Sequence, residues 1–327
     1  MNFDGIIGQK DIISSLRKSI ENGRVGHAYI FNGPAGIGKK TVARAFAGIL
    51  LCDNREGSAA CGKCMPCRLF REGSNPDFMG IEAQGTSIGV DAIRQMQEDI
   101  IKKPLYSPRK VYLISGAENM TVQAQNCLLK TLEEPPGYAV IILTTSGYDA
   151  LLETLRSRSV RYDFRKNSEK EVREALIREF GTIPENSDFI VPYSGGIIGK
   201  ALELAGSEEF AELRDNTVDV LFKIRKPRLY SVFEIYHFFE ENKSRLDIIL
   251  DIMLTVYRDM LVLRKTGNEY MLINSDKKDI ILDNIQDFSA EKLLTDINTL
   301  ETARKNIRQN ANFQLSIEVM LMELQEE

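Results

Sequence analysis

The chain has 327 residues, 43% of them hydrophobic and 27% charged, so it is long enough for two or three globular domains and is not disordered. Residues 1–206 carry 26 basic and 24 acidic side chains, whereas residues 207–327 carry 16 basic and 23 acidic ones. The net charge of the whole chain is −5. Neither part has the large positive charge that would let it bind DNA strongly on its own. No run approaches the roughly 18 apolar residues that span a membrane, and the first residues do not form a signal peptide. We therefore expect a cytoplasmic protein that makes no membrane contact.

The sequence up to about residue 150 predicts alternating helices and buried strands. Helical spacing of apolar residues indicates the helices, and short continuous apolar runs indicate the strands. In chain order the prediction is helix 12–20, strand 27–31, helix 41–47, strand 78–81, helix 87–102, strand 110–114, helix 121–133 and strand 139–143. Continuous apolar strands that alternate with helices are typical of a parallel sheet covered on both faces, so we predict an α/β domain.

The loop after the first strand reads GPAGIGKKT, from Gly33 to Thr41, and has the glycine pattern of a phosphate-binding P-loop. In this motif backbone N–H groups surround the phosphates, a lysine reaches the terminal phosphates, and a Ser or Thr binds Mg²⁺. The residues that match are Gly33, Gly36, Gly38 and Lys39. Because a strand precedes the loop and a helix follows it, we predict a P-loop fold. Nucleotide occupancy stays open, since a glycine-rich turn can also serve only to pack a helix against a sheet.

The position after Lys39 departs from the motif. Lys40 occupies the place of the magnesium-binding hydroxyl, and Thr41 follows one residue late. On a helix of 3.6 residues per turn, one residue is a rotation of about 100°, which directs the Thr41 hydroxyl away from the metal. We therefore predict a degenerate nucleotide site that is poorly equipped for hydrolysis. Its candidate binding residues are Gly33, Gly36, Gly38, Lys39 and Thr41.

Four of the five cysteines lie within 16 residues, with the spacing C-x8-C-x2-C-x2-C, at Cys52, Cys61, Cys64 and Cys67. Thiolates two residues apart on tight turns can converge on one Zn²⁺ at about 2.3 Å, and a closed shell of four sulfurs leaves no position for a substrate. The alternative, a pair of disulfides, conflicts with the absence of a recognisable signal peptide. We therefore predict a structural zinc site.

The third predicted strand is followed by Ser115-Gly116-Ala117-Glu118, where a P-loop ATPase carries acids that hold Mg²⁺ and polarise water. The first two of these residues cannot replace two carboxylates. Glu118 lies two to three residues beyond the strand end, so it is either a displaced substitute or, as we favour, an acid at a helix start. Thr144-Thr145, at the end of the next strand, could contact a phosphate, although β-strand propensity also explains them.

The turn Thr154-Leu155-Arg156-Ser157-Arg158-Ser159 offers an arginine that nothing in this chain requires. A guanidinium that projects from a short turn can reach across a subunit boundary and stabilise charge on a transferring phosphate. Arg158 is the candidate for such an arginine finger. The alternatives are a surface salt bridge or a contact at a helix end.

Beyond the last of these strands the sequence predicts only helices. A helix at 169–180, a break at Gly195-Gly196 and a helix at 198–204 indicate a small helical unit. Long amphipathic stretches follow, with a loop near 266–278. We predict three domains: residues 1–166, which contain the cysteine module at about 52–67; residues 167–206; and residues 207–327.

Several of these segments together resemble the bacterial DNA polymerase III clamp-loader subunits of the AAA+ family. The similar segments are Ile7-Gly8-Gln9, His27-Ala28-Tyr29, the GPAGIGKKT loop, the four-cysteine insertion, QAQNCLLKTLEEPP at 123–136, and the Arg-Ser-Arg-Ser turn. The resemblance covers about the whole chain, is strongest over residues 1–206, and is greatest to the delta-prime subunits. Ser159 departs from the last letter of the family's Ser-Arg-Cys turn, which leaves the arginine in place.

This resemblance implies a fold that is α/β plus all-α: a RecA-like P-loop AAA+ domain with a zinc-binding insertion, a three-helix lid and a C-terminal helical collar. It also implies a stator-like subunit of a hetero-pentameric ring within the nucleoid-associated replisome. In that ring ATP-hydrolysing gamma/tau subunits open the sliding clamp and place it on primer-template DNA, while the delta subunit grips the clamp. Arg158 matches the arginine finger that acts in a neighbouring gamma/tau ATP site.

Motor subunits of the family also carry an Asp-Glu pair and a lid arginine that senses the γ-phosphate. This chain has Ser115-Gly116 at the first place and Gly199 at the second. With Lys40, three departures each remove a different element of hydrolysis, so we expect no catalysis by this chain alone and a contribution in trans.

Two alternative functions stay open on sequence alone. One is a gamma/tau-like ATPase that uses Thr41 and Glu118, and the other is a stand-alone zinc-containing DNA-binding module with a vestigial P-loop. DNA contact within the ring is a further hypothesis, with a solvated basic face as its alternative. The residues concerned are Arg94, Lys102, Lys103 and Arg109.

Overall fold

The computed structural model of the chain describes residues 2–225 and 232–326. The chain divides into two compact units, one made of Met1–Ala175 with Gly196–Lys200 and the other of Leu176–Gly195 with Ala201–Glu327. The three domains expected from the sequence stay a prediction. The last of them includes residues 226–231, which lie outside the described ranges.

The first unit contains the parallel sheet that the sequence predicts, with five strands where the sequence analysis identifies four. The strand order is β2-β3-β4-β1-β5. The strands are β1 Ala28–Asn32, β2 Phe78–Ile81, β3 Lys110–Ser115, β4 Ala139–Thr145 and β5 Val160–Asp163. Asn32 of β1 pairs with Thr145 of β4, and Ser115 of β3 pairs with Thr144. The three central strands therefore end at one edge, and the loops that follow them are neighbours.

Six helices accompany this sheet. They are α1 Lys10–Glu21, α2 Lys39–Leu51, α3 Met65–Glu72, α4 Val90–Ile100, α5 Val122–Glu133 and α6 Glu153–Ser157. The predicted helices are confirmed as α1, α2, α4 and α5. Helix α4 begins three residues later than predicted, because Ile88 pairs with Met120 in an isolated bridge instead of entering the helix.

Strand β5 and helices α3 and α6 are not anticipated by the sequence analysis. β5 lies at the sheet edge, and its side chains are mostly exposed. Because Arg161 and Asp163 interrupt it, the strand has no continuous apolar run that periodicity could detect. The helix α3 lies within the cysteine insertion, and α6 has only five residues.

Two apolar cores cover the opposite faces of the sheet. In β1, Tyr29 and Phe31 belong to the core that includes buried residues of α1 and α2, whereas Ala28 and Ile30 belong to the core that includes buried residues of α4 and α5. Successive strand residues point to opposite faces, which explains this alternation. Because both faces of the sheet are buried, the ends of β1, β3 and β4 are held in place, and the loops that follow these strands start from fixed positions.

The remaining helices continue the chain. They are α7 Glu169–Phe180, α8 Ser187–Tyr193, α9 Ile198–Ala205, α10 Glu208–Ile224, α11 Val232–Glu241, α12 Leu246–Thr266, α13 Lys278–Asn284, α14 Ala290–Arg308 and α15 Phe313–Gln325. The predicted helices at 169–180 and 198–204 are confirmed, and the predicted loop near 266–278 separates α12 from α13. Among the described residues, no helix is long and apolar enough to cross a membrane.

Candidate functional site

Lys39, the P-loop lysine, is bonded to its own loop. It is the first residue of α2 and is only 9% exposed. Its Nζ donates to the carbonyl oxygens of Gly33 at 2.5 Å and Pro34 at 2.8 Å, and lies 3.3 Å from Ser146 Oγ. Burial lowers the pKa of the Lys39 ammonium, and the nearby Glu118 carboxylate opposes that shift. The ammonium therefore has polar partners inside the loop where a phosphate would otherwise be its partner.

Glu118 lies in a short 3-10 turn, four residues before α5 begins. Its Oε1 accepts a hydrogen bond from the Ser146 N–H at 3.0 Å. Burial alone would raise the pKa of Glu118, but hydrogen bonds from backbone N–H groups, including that of Ser146, hold it below its ordinary value. The start of α5 is instead capped by Thr121, whose side chain accepts from the Ala124 N–H. The Glu118 carboxylate thus influences the charge state of the P-loop lysine, and it does not cap α5.

Lys40 and Thr41 have side chains directed away from the P-loop. Lys40 forms an ion pair with Glu82 on the protein surface. Thr41 is exposed and lines a cavity of about 660 Å³, together with Arg44, Phe70 and residues 4–6 near the start of the chain. The loop glycines do not line this cavity. The rotation expected from helix geometry is therefore present in the structure.

Gly36 of the loop contacts the segment Gly196–Lys200 of the same unit. The N–H of Gly199 donates to the carbonyl oxygen of Gly36 at 2.9 Å. A Cβ atom at Gly199 would lie 2.6 Å from that oxygen and 2.9 Å from the Gly36 Cα. Because real Cβ atoms do not approach so closely, a side chain at this position requires the two backbones to separate.

The end of β4 carries two hydroxyls that accept hydrogen bonds from backbone N–H groups. Thr144 Oγ1 accepts from the Gly116 N–H at 3.3 Å, and Thr145 Oγ1 accepts from the Gly147 N–H at 3.1 Å. Both threonines are buried. Ser146, which the sequence analysis does not single out, is the strand-end residue whose hydroxyl lies beside Lys39. Its position directly after the strand end was the available signal.

The four cysteines of the insertion converge. Their Sγ atoms all lie within 4.8 Å of one another, with Cys52 at 3.6 Å from Cys61 and 3.8 Å from Cys64. The N–H groups of Lys63 and Cys64 lower the pKa of the Cys61 thiol to about 6. Cys52 and Cys67 are buried, and this burial raises the pKa of both thiols. The group has the donor set and the compactness to hold a metal ion.

Arg158 follows α6 directly, and its side chain is 37% exposed. Its Nη1 donates to the Thr154 carbonyl oxygen at 3.2 Å, and its Nη2 lies 3.0 Å from Glu133 Oε1. Arg156 of the same turn is held differently, by Asp149 at 2.9 Å and by the ring of Tyr148 at 5.1 Å from its centroid. Both arginines thus have partners within the chain.

The basic residues considered for DNA contact lie around α4 and the following loop. Arg94 pairs with Asp91 on the same helix at 3.2 Å. Lys102 and Lys103 are exposed. Arg109 is half-buried, and its burial together with the nearby Arg55 lowers the pKa of its guanidinium. These four basic residues therefore have different surroundings in the described structure: one is paired, two are exposed and one is half-buried.

Comparison with known proteins covers nearly the whole chain. Residues 8–168 match the family described as DNA polymerase III, delta subunit, and residues 208–326 match DNA polymerase III, delta subunit, C terminal. The DNA polymerase III subunit delta-prime of Bacillus subtilis is 31% identical over 322 residues, which cover 97% of this chain and 96% of that protein. The chain belongs to the DNA polymerase III delta-prime family.

Other relatives are similar over less of their length or at lower identity. The DNA polymerase III subunit tau of Bacillus subtilis is 34% identical over 164 residues, which are 50% of this chain and 29% of that protein. A gamma-subunit-related protein of Thermotoga maritima has a solved structure with 21% identity, coverage of 97% of this chain and 99% of that chain, and a TM-score of 0.47. The delta-prime chain thus shares with tau a region about half its length.

The expected fold class is confirmed for this delta-prime family member. The first unit is an α/β domain with a parallel sheet, a P-loop sequence after β1 and a cysteine insertion, and the rest of the described chain is helical. The delta-prime family consists of clamp-loader subunits of DNA polymerase III, and it is related to the gamma/tau subunits.

Proposed function

We propose that this chain is the clamp-loader subunit that does not hydrolyse ATP and that supplies Arg158 to the ATP site of a neighbouring gamma/tau subunit. Its direct partners are gamma/tau and delta subunits in a hetero-pentamer. The sliding clamp and primer-template DNA are reached through that complex. The relatives of this chain include delta-prime, gamma and tau subunits of DNA polymerase III, which supports this assembly.

The observation that carries the proposal is the direction of the two side chains after Lys39. The motif needs a hydroxyl beside the phosphates to hold Mg²⁺. Lys40 is paired with Glu82, and Thr41 lines a cavity that the loop glycines do not line. A nucleotide in this loop would therefore lack the side-chain hydroxyl that its metal ion requires.

Two further positions support the absence of hydrolysis. Ser115 and Gly116 stand at the strand end where a carboxylate pair is needed, and the nearby acid Glu118 lies beyond that end, where its Oε1 accepts from the Ser146 N–H and its charge acts on Lys39. Gly199, in the place of the lid arginine, has no room for a side chain while its N–H binds Gly36. Nucleotide occupancy by Gly33, Gly36, Gly38, Lys39 and Thr41 is accordingly proposed to be weak or absent.

The assignment of Arg158 rests on its place in the chain. It stands at the end of a five-residue helix, and its guanidinium is partly exposed, whereas Arg156 is committed to Asp149 and Tyr148. An arginine supplied in trans acts by stabilising charge on the transferring phosphoryl group, an effect of about 10³ or more in rate. Arg158 would take that role by a side-chain rotation that exchanges its contacts with Glu133 and Thr154 for the neighbouring phosphate.

Zinc is the metal that the cysteine cluster fits. Four sulfurs at about 2.3 Å from a tetrahedral Zn²⁺ lie about 3.8 Å from one another, close to the 3.6 and 3.8 Å found between Cys52 and two of its partners. A bound Zn²⁺ would supply a cross-link and no reaction, since four thiolates leave no open position. We assign Cys52, Cys61, Cys64 and Cys67 as its ligands.

We also propose the domain roles that the family resemblance implies. Residues 1–166 form the RecA-like AAA+ domain, residues 167–206 the lid and residues 207–327 the collar through which the ring assembles. Support for the collar comes from α15, where Leu315, Val319 and Met322 are exposed at spacings of four and three residues. Such spacing places three apolar side chains on one helical face.

The test is to combine the chain with gamma/tau and delta from the same bacterium and to measure DNA-stimulated ATP hydrolysis. Arg158→Ala should lower the rate by about 10³ at the affected site. Arg156→Ala is the matched control, since it removes a guanidinium from the same turn but not from the position proposed for the finger. An unchanged rate with Arg158→Ala would refute the finger assignment.

The same preparation distinguishes the alternative functions. Magnesium-dependent ATP hydrolysis by the purified chain alone would favour a gamma/tau-like ATPase. Tight DNA binding by the chain alone, weakening with salt, would favour a DNA-binding module. We expect neither activity.

A further inference from the structure

Glu133 is the carboxylate that contacts the proposed arginine finger. It is the last residue of α5, and its Oε1 lies 3.0 Å from Arg158 Nη2. The other terminal nitrogen of the guanidinium donates to the Thr154 carbonyl. Side-chain exposures of 52% for Glu133 and 37% for Arg158 show that the pair lies at the surface. In this structure the finger is folded back against its own chain.

The backbones on both sides of this ion pair are fixed. Gln125 of α5 is buried, its Oε1 accepts from the Leu152 N–H at 2.8 Å, and its Nε2 donates to the Ala150 carbonyl at 3.2 Å. Leu128 and Leu155 lie in the same apolar core. Helices α5 and α6 therefore keep their relative position, and the guanidinium can leave Glu133 only by rotation of side chains.

The carboxylate and a phosphate would compete for the same N–H groups. A guanidinium bound to a carboxylate has most of its charge compensated, so it stabilises a developing negative charge less well. A carboxylate that remained beside the phosphate would also repel it. Contact with Glu133 and action on a neighbouring nucleotide are thus mutually exclusive states of Arg158.

We propose that Glu133 is a positioning residue that holds Arg158 in the folded-back state and so limits the fraction of time in which the finger is available. The inference rests on the proposed role of Arg158. Exposed ion pairs are weak and easily exchanged, which suits a contact that must open in each cycle. Removal of the Glu133 charge should therefore make the assembled ATPase faster.

Glu134 provides a matched control for this test. It is the next residue, it is exposed, and it makes no ion pair with any residue of the ranges 2–225 and 232–326. Glu133→Gln and Glu134→Gln remove the same charge from adjacent positions. Any effect of net charge on assembly is therefore shared by both variants.

The experiment measures steady-state ATP hydrolysis, without DNA, by the complex of this chain with gamma/tau and delta. Glu133→Gln should raise kcat by about two- to fivefold with the KM for ATP unchanged, and the gain should shrink as salt is added. Glu134→Gln should leave both constants unchanged. A Glu133→Gln complex with unchanged or lowered kcat would overturn the inference.

The double variant separates this inference from the proposed function. If Glu133 acts through the finger, Glu133→Gln combined with Arg158→Ala should be as slow as Arg158→Ala alone. A rate gain that persists without Arg158 would overturn the inference. If Arg158→Ala itself has no effect, the finger assignment fails. If Arg158→Ala slows hydrolysis but Glu133→Gln behaves like Glu134→Gln, only the positioning role fails.

Discussion

At the scale of single residues, the P-loop region is determined by glycines and by one lysine. Gly36 and Gly199 let two backbones approach to hydrogen-bond distance, and Lys39 satisfies carbonyls of its own loop. These contacts need small residues at two positions that are far apart in sequence. Of the groups that would bind a phosphate, the Lys39 ammonium is thereby already hydrogen-bonded.

A side chain at Gly199 should destabilise the first unit. In Gly199→Ala the added Cβ would meet the Gly36 carbonyl, and such overpacking costs about 1–3 kcal/mol. For a unit of this size, each kcal/mol lowers Tm by about 2–4 °C, which scanning calorimetry can measure. The control is Gly137→Ala, because a Cβ there meets nothing within 4 Å. A raised Tm for Gly199→Ala, as expected if only helix propensity acted, would contradict the contact.

The sequence predicts some of these residue positions and not others. The displacement of Thr41 follows from helix geometry alone, so it could be derived in advance. Ser146 beside Lys39, and Glu133 beside Arg158, arise from strands and helices that meet only in the folded chain. Nothing local to Glu133 distinguishes it from other surface glutamates, and Ser146 is marked only by its position directly after β4.

At the scale of elements, the cysteine insertion depends on ligands from separate pieces of backbone. Cys52 directly follows α2, Cys61 and Cys64 lie in the loop, and Cys67 is inside α3. An insertion of this size has little apolar material of its own, so a metal is the natural cross-link. Asn2 also holds it, through hydrogen bonds to the N–H and carbonyl of Ala60.

Loss of the metal should loosen this insertion and leave the sheet intact. Purified chain should contain about one Zn²⁺, and a strong chelator should make residues between Cys52 and Cys67 sensitive to limited proteolysis. Cys61→Ser should lower the zinc content, whereas Cys127→Ser should not, since the Cys127 thiol donates to Gln97 outside the cluster. Native protein without zinc, or full zinc content in Cys61→Ser, would refute the assignment.

The elements that the sequence predicts correctly are those with long apolar patterns. The strands at 78–81, 110–114 and 139–143 have continuous apolar runs and are found with nearly the same ends. Edge strand β5 and the short α6 lack such patterns, because their side chains face solvent or belong to tight turns. These two short elements nonetheless flank Arg158, so the functional turn lies where periodicity is least informative.

At the scale of the whole molecule, the described chain consists of an α/β unit and a helical unit. The helical unit has its own core, in which α12 buries ten side chains. Its last helix, α15, combines buried residues such as Ile317 and Leu321 with the exposed Leu315, Val319 and Met322. This second apolar face is where we place the contact with another subunit.

Charges on that face should weaken assembly and leave the fold unchanged. Leu315→Asp with Val319→Asp would place carboxylates in a desolvated interface, so the affinity for the gamma/tau and delta complex should fall by about tenfold or more. Gln314→Asp, at an exposed polar position of the same helix, is the control. Size-exclusion chromatography with calibrated light scattering reports incorporation. Normal incorporation of the double variant would place the interface elsewhere.

The fixed backbone around the Glu133–Arg158 pair has a kinetic consequence. Because α5 and α6 are tied by Gln125 and a shared core, exchange of the guanidinium between its partners is a side-chain event, which takes picoseconds to nanoseconds at an exposed site. Turnover by such enzymes takes milliseconds or longer. Arg158 therefore exchanges between its two states many times in each catalytic cycle. The rate at the neighbouring ATP site then depends on the fraction of time for which Arg158 is released from Glu133, and not on the timing of any single release.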